Sequence, residues 1–130
     1  MKRIKTIKEN CYDCRLCELV CSEAHSNSYR PLISRIKAPS STPDLKGPVV
    51  CRQCKKPKCV EACPTDALAI GEWMVHFEEE LCDNCGLCVE ACPFDAIWLV
   101  EEQLLKCDLC GGKPKCTDIC PGSALEYDEY

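Results

Sequence analysis

Apolar residues along this chain come in short bursts separated by polar and cysteine-bearing stretches. Ala69-Ile70 and Met74-Val75-His76-Phe77 predict the arms of a hairpin turning at Gly71, and Ile97-Trp98-Leu99-Val100 and Leu125-Glu126-Tyr127 predict further short strands. Ile33-Ser34-Arg35-Ile36-Lys37 predicts another strand, followed by a loop over Pro39–Pro48. The surrounding segment, Ser26–Val50, is free of cysteine and holds four of the nine prolines, so it reads as a connection. A repeat settles the architecture better than these short elements. VEACPTDALAI at residues 60–70 returns as VEACPFDAIWL at 89–99, with seven of eleven letters identical and two more exchanging Leu for Ile. A one-turn helix is expected to open at each Cys-Pro, because proline suits the first helical position, where its missing N–H costs nothing.

Composition sharpens the picture. A chain of 130 residues is one small domain by ordinary priors, and its core must come from carbon-rich side chains. The 46% hydrophobic figure counts 16 cysteines; without them 44 residues remain, about 34%, eight of them aromatic. Something other than leucine must fill the middle. Cysteine at 12% would suggest a disulfide scaffold in a secreted protein. However, MKRIKTIKEN is basic with no apolar stretch behind it, no twin arginine and no small-residue cleavage site, and nowhere do 18 apolar residues run together. The expectation is a cytoplasmic protein without a membrane span, in which reducing systems keep unligated thiols reduced and dense cysteines are metal ligands.

Charge is unevenly spread behind the net value of -5: residues 1–58 carry 13 Lys/Arg against 5 Asp/Glu, and residues 59–130 carry 3 against 16. The acidic half reads as a solvated surface, the basic half as a docking face or a set of counter-charges for anionic cofactors. Few aromatics and an acidic balance argue against nucleic acid as a partner.

The cysteines fall into four groups of four: Cys11, Cys14, Cys17, Cys21; Cys51, Cys54, Cys59, Cys63; Cys82, Cys85, Cys88, Cys92; and Cys107, Cys110, Cys116, Cys120. The first and third follow C-x2-C-x2-C-x3-C; the middle gap is x4 in the second and x5 in the fourth. Pro64, Pro93 and Pro121 follow three of the groups, and Ser22 stands at that place in the first. Three cysteines so spaced wrap a loop around three corners of a metal–sulfur cube, and the fourth, in the run ending in Cys-Pro, ligates the neighbouring cluster of a two-cluster unit. Gly86 is expected to give the backbone room beside the cube. Structural zinc sites, built from two CxxC knuckles a dozen or more residues apart, fit four uninterrupted four-cysteine runs poorly; a zinc-stapled interaction module is the reading from another class.

The stretch Cys51–Cys92 resembles the bacterial two-cluster ferredoxins, including their C-P-x-D-A-[IL] exits, so the middle groups read as one unit and the first and fourth groups pair across it. The expected sites are then Cys51, Cys54, Cys59 with Cys92; Cys82, Cys85, Cys88 with Cys63; Cys11, Cys14, Cys17 with Cys120; and Cys107, Cys110, Cys116 with Cys21. Sequential pairing, first with second and third with fourth, is the rival. The fold class expected is α+β: two nested ferredoxin-like units of short strands and short helices around four 4Fe-4S clusters. The inner unit spans about 49–100, the outer about 1–25 plus 101–130, and 26–48 is a connecting insertion.

With Val50-Cys51-Arg52-Gln53-Cys54, the two Cys-Pro-x-Asp-Ala exits and Lys106-Cys107-Asp108-Leu109-Cys110, the chain from Cys11 to about Leu125 resembles the four-cluster iron–sulfur subunits of the dimethyl sulfoxide reductase type. Nested pairing is the rule in that family. The chain is shorter than most members and lacks their membrane-facing extensions; in this compactness it resembles the small subunits of tungsten-containing aldehyde oxidoreductases. The resemblance implies a non-catalytic electron-transfer subunit. Its expected partners are a larger catalytic subunit, of a tungsten- or molybdenum-pterin oxidoreductase such as aldehyde oxidoreductase, and a further electron-accepting subunit or ferredoxin. The alternatives are a diffusible polyferredoxin, or the iron–sulfur subunit of a hydrogenase, formate dehydrogenase or carbon monoxide dehydrogenase.

Four clusters would take the formal charge of -5 to about -13, which calls for opposing dipoles and cations. Lys55, Lys56, Lys58, Lys106, Lys113 and Lys115 lie inside or beside the cysteine runs, as counter-charges or as solvated loop lysines. His25 is expected at the surface and His76 in a strand, neither as a ligand or catalyst. Trp73, Trp98, Phe77 and Phe94 are expected to pack around the cubes, and Tyr12, Tyr127 and Tyr130 to be available to a partner. The chain carries no C-x3-C-x2-C run for S-adenosylmethionine chemistry and no GxGxxG or GKS nucleotide loop.

Overall fold

The computed structural model describes residues 1–41 and 47–129. Among these the chain forms antiparallel ribbons of two strands each, and a ribbon of that size is marginal in water without something packed against it. β1 (Lys2–Thr6) pairs with β8 (Leu125–Glu129), bringing the two ends of the chain together with Ile4 opposite Tyr127. β2 (Ile36–Lys37) pairs with β3 (Val49–Val50), β4 (Leu68–Ile70) with β5 (Val75–Phe77), and β6 (Trp98–Val100) with β7 (Gln103–Leu105). The helices are α1 (Leu16–Ser26), α2 (Lys58–Ala62), α3 (Leu87–Ala91) and α4 (Lys115–Ile119). α2 packs on α3, and α1 packs on α4 from the far end of the sequence.

The expected hairpin is present, with Leu68 opposite Phe77 and the Gly71 N–H bonded to the Met74 carbonyl at 2.8 Å. The strands expected over 97–100 and 125–127 are also present, the latter running on to Glu129. The strand expected over 33–37 shrinks to Ile36–Lys37. Ile33 closes a 3-10 turn, and the buried Ser34 hydroxyl bonds both the N–H and the carbonyl of Ile36, a local pairing that competes with a sheet ladder. In the loop expected over Pro39–Pro48, Pro39–Ser41 form a 3-10 turn, and residues 42–46 lie outside the described residues.

The helices stand before, not after, each Cys-Pro. α2, α3 and α4 end at Ala62, Ala91 and Ile119, and the following Cys63, Cys92 and Cys120 are extended, with ψ of 115°, 115° and 114°. Proline crowds the residue preceding it out of the α region, so Pro64, Pro93 and Pro121 terminate the helices and turn the chain. Where Ser22 replaces proline, α1 continues through Cys21 for eleven residues and stops at Asn27, in the left-handed region at φ 57°.

The core is partly sulfur. One cluster of buried side chains joins Ile4, Ile36, Val50, Leu109 and Leu125 to Cys21, Cys51, Cys107 and Cys116, with Trp73 against it; a second joins Leu68, Val75, Ile97 and Leu104 to Cys59 and Cys88, with Phe77 against it. Phe94 and Trp98, also expected around the cubes, are not in these clusters among the described residues. Phe94 lies under Arg52 at 3.9 Å and Trp98 under Lys37 at 5.5 Å, both as cation–π pairs.

Glu18, 1% exposed, accepts from Arg15 Nε at 2.8 Å and from the Ser41 hydroxyl at 3.0 Å, tying α1 to the turn after β2. Glu18→Ala leaves those donors without their acceptor and is expected to cost about 1–3 kcal/mol, read as an earlier thermal transition of the anaerobic protein. No helix among the described residues is long and apolar enough to cross a membrane.

Candidate metal centres

All sixteen cysteines are free, with no disulfide among the described residues. Cys11, Cys14, Cys17 and Cys120 line one small cavity, and Cys63, Cys82, Cys85 and Cys88 line another. Cys92 is near enough to Cys54 and Cys59 to repel their thiolates, as Cys51 does. Cys107, Cys110 and Cys21 act together on Cys116. In each grouping the fourth thiol comes from a loop other than that of the first three. The groupings also adjoin: Cys17 acts on Cys116 and Cys51 on Cys107, while Cys59 and Cys88 share one buried cluster.

Backbone N–H groups converge on the sulfurs in two repeated ways. In every group the residue two beyond the first cysteine donates to it: Asp13 to Cys11 at 3.4 Å, Gln53 to Cys51 at 3.4 Å, Asn84 to Cys82 at 3.4 Å and Leu109 to Cys107 at 3.3 Å. Asp13, Gln53, Asn84 and Leu109 all have positive φ, between 48° and 61°, so this inward turn of the amide carries a conformational cost. Beyond each Cys-Pro, the residue four after the last cysteine donates to it: Ala67 to Cys63 at 3.3 Å, Ala96 to Cys92 at 3.4 Å and Ala124 to Cys120 at 3.3 Å. Ala67 and Ala96 belong to the repeated phrase, and Ala124 holds the same place after Cys120. In the first group the place four beyond Cys21 is inside α1, where the amides bond carbonyls one turn back. The Arg35 N–H supplies Cys21 instead, at 3.2 Å. Gly86 caps α3 at φ 75°, the place taken in the first group by Arg15 at φ 63°; among the described residues a Cβ there would meet only Leu99, at 3.8 Å.

Burial pushes the Cys17 thiol up to about 12, Cys59 to about 11 and Cys107 to about 12, and raises Cys116 as well. Such thiols stay protonated near neutral pH unless a cation replaces the proton. Cys21 and Cys63 go the other way. Burial opposes it, but His25 and the Arg35 amide lower Cys21, and Thr65 with the Ala67 and Leu68 amides lowers Cys63. Four-thiol groupings ringed by amide donors fit a cationic iron–sulfur core better than bare thiols.

His25 is not at the surface. Its side chain is 14% exposed; Nε2 meets Asp108 Oδ1 at 2.8 Å, and Nδ1 meets the Cys21 carbonyl at 2.8 Å and its sulfur at 3.7 Å. Asp108 holds His25 up to about 10. Burial works to raise Asp108, but His25, the Cys110 amide and Arg35 outweigh it and bring it to about 2. Arg35 Nε is buried with no partner among the described residues. His76, as expected, is a strand residue. Of the lysines in the cysteine runs, Lys55, Lys56, Lys58, Lys113 and Lys115 are exposed and Lys106 is buried. Tyr12 and Tyr127 are exposed; Tyr130 lies outside the described residues.

A family model described as a 4Fe-4S binding domain matches residues 75–98, and a second of the same description matches 49–66 and 105–127. The aliphatic sulfonate oxidoreductase polyferredoxin-like subunit of Pyrococcus furiosus is 43% identical, covering 86% of this chain and 67% of the relative. An uncharacterised ferredoxin of Methanocaldococcus jannaschii is 36% identical, covering 97% of this chain and 72% of the relative. Among solved structures, a chain of the active-site complex BamBC of benzoyl coenzyme A reductase, bound to 1,5-dienoyl-CoA, superposes with a TM-score of 0.57 at 25% identity, over 100% of this chain and 76% of that one.

Proposed function

The chain belongs to the polyferredoxin-like 4Fe-4S binding-domain family, and from that premise we propose that it is an electron-transfer subunit holding four 4Fe-4S clusters. The proposed ligand sets are Cys11, Cys14, Cys17 with Cys120; Cys21 with Cys107, Cys110, Cys116; Cys51, Cys54, Cys59 with Cys92; and Cys63 with Cys82, Cys85, Cys88. One observation carries this reading: each triplet of thiols is completed by a cysteine from a distant loop. The packing of α2 on α3 and of α1 on α4, with β1 against β8, supports an inner unit over about 49–100 and an outer unit of about 1–25 and 101–130, joined by 26–48.

Bound in these sites, a 4Fe-4S core accepts and releases one electron. The polypeptide provides spacing, insulation and electrostatics. Adjacency of Cys17 to Cys116, of Cys107 to Cys51 and of Cys59 to Cys88 supports a single row, beginning at the Cys11 set and ending at the Cys82 set. Cys14 and Cys85, at the two ends, are exposed, which supports exchange of electrons with partners there.

We place the chain with the dimethyl sulfoxide reductase type of subunit, in a compact form serving a tungsten- or molybdenum-pterin oxidoreductase. The Pyrococcus relative is named as an oxidoreductase subunit and the BamBC chain belongs to an active-site complex, and both support a larger catalytic partner. Anaerobic affinity purification from the native source is expected to bring down that larger subunit in stoichiometric amount. A chain that elutes alone and exchanges electrons freely with unrelated redox proteins would instead mark a diffusible polyferredoxin.

A further inference from the structure

Lys106 is a buried cation that no electron-transfer role has yet been given. It is 2% exposed, and its ammonium donates to Gln53 Oε1 at 3.0 Å, the Val75 carbonyl at 2.8 Å and the Cys107 carbonyl at 3.0 Å. All three acceptors are neutral. The hydrogen bonds are complete but the charge is not matched: among the described residues Lys106 has no carboxylate partner. An unmatched charge in a dry interior is expensive, so an anion nearby is the arrangement that makes this one tolerable.

The lysine's position says which anions. It precedes Cys107, and it is clasped by Gln53, which lies between Cys51 and Cys54. Gln53 is fully buried in the left-handed region at φ 48°; its amide nitrogen donates to the Cys107 carbonyl at 2.8 Å, and its amide oxygen takes the Val75 N–H at 2.9 Å beside the Lys106 ammonium. One strained side chain thus pins the lysine where the Cys51 loop meets the Cys107 loop.

We propose that Lys106, positioned by Gln53, is a fixed counter-charge shared by the two central sites, those of Cys51, Cys54, Cys59, Cys92 and of Cys21, Cys107, Cys110, Cys116, and that it favours the electron at both. This rests on the four-cluster reading. Adding an electron makes a site more negative, and a fixed positive charge in low dielectric stabilises the reduced form more than the oxidised one. Exposed Lys113 is solvated and screened, so its charge reaches the sites weakly.

The test titrates wild type, Lys106→Met, Gln53→Glu and Lys113→Met, purified anaerobically, with dithionite as reductant, following each cluster by electron paramagnetic resonance and counting iron per chain. Lys106→Met is expected to keep its iron and to lower the equilibrium constant for reduction at two of the sites at least tenfold, about 59 mV for one electron. Gln53→Glu, which sets a carboxylate beside the ammonium, is expected to shift the same two sites in the same direction. Lys113→Met is expected to leave all midpoints in place. If Lys106→Met loses iron, Gln53→Glu decides. Iron-replete variants with every midpoint unmoved overturn this inference alone, whereas a wild-type chain without iron or sulfide overturns the four-cluster reading beneath it.

Discussion

Stripping the iron anaerobically, with a chelator and a mild oxidant, is expected to unfold this chain. The ribbons are two strands wide, and α2, α3 and α4 have five residues each, too few to persist alone. The buried clusters that hold these pieces together include Cys21, Cys51, Cys59, Cys88, Cys107 and Cys116. Four residues turn amides toward the first cysteine of each group at unfavourable positive φ, which only a bound anionic centre rewards. Loss of far-ultraviolet circular dichroism in step with loss of iron is the expected outcome, as in other small domains whose metal binding is their folding energy. An iron-free chain that kept its dichroism and slow amide exchange would show a self-sufficient core.

Cys92→Ala is expected to empty the site of Cys51, Cys54 and Cys59 and to spare that of its own loop. Cys92 follows α3 in an extended conformation and lies near Cys54 and Cys59, while Cys82, Cys85 and Cys88 share their cavity with Cys63. Double variants make the assignment quantitative, because substitutions at one site do not add and those at separate sites do. Cys92→Ala with Cys54→Ala is expected to lose about four irons, the same as either alone, and Cys92→Ala with Cys85→Ala about eight. The reverse pattern would restore each loop to its own fourth cysteine.

Cysteine spacing is a geometric statement, so the four groups of four were legible in the sequence. The hairpin at Gly71 and the strands around Trp98 and Leu125 follow from local apolar runs bounded by turn residues. Proline misled in a definite way: it is compatible with the first turn of a helix, but its steric demand on the preceding residue is what acts at Cys63, Cys92 and Cys120. β7 was missed because its turn, Glu101-Glu102, adopts positive φ at both residues without the Asn or Gly that usually signals it. His25 and Asp108 are 83 residues apart in sequence, and Gln53 and Lys106 are 53 apart. Such pairs belong to tertiary packing, and nothing in the local spacing of a single sequence distinguishes Lys106 from the exposed lysines around it.

Quantifying iron, acid-labile sulfide and zinc on the anaerobically purified chain tests the central claim most directly. The expected result is about sixteen irons and about sixteen sulfides per chain, with zinc negligible. A few zinc ions without sulfide, or iron and sulfide at half that level in a fully folded protein, would contradict it.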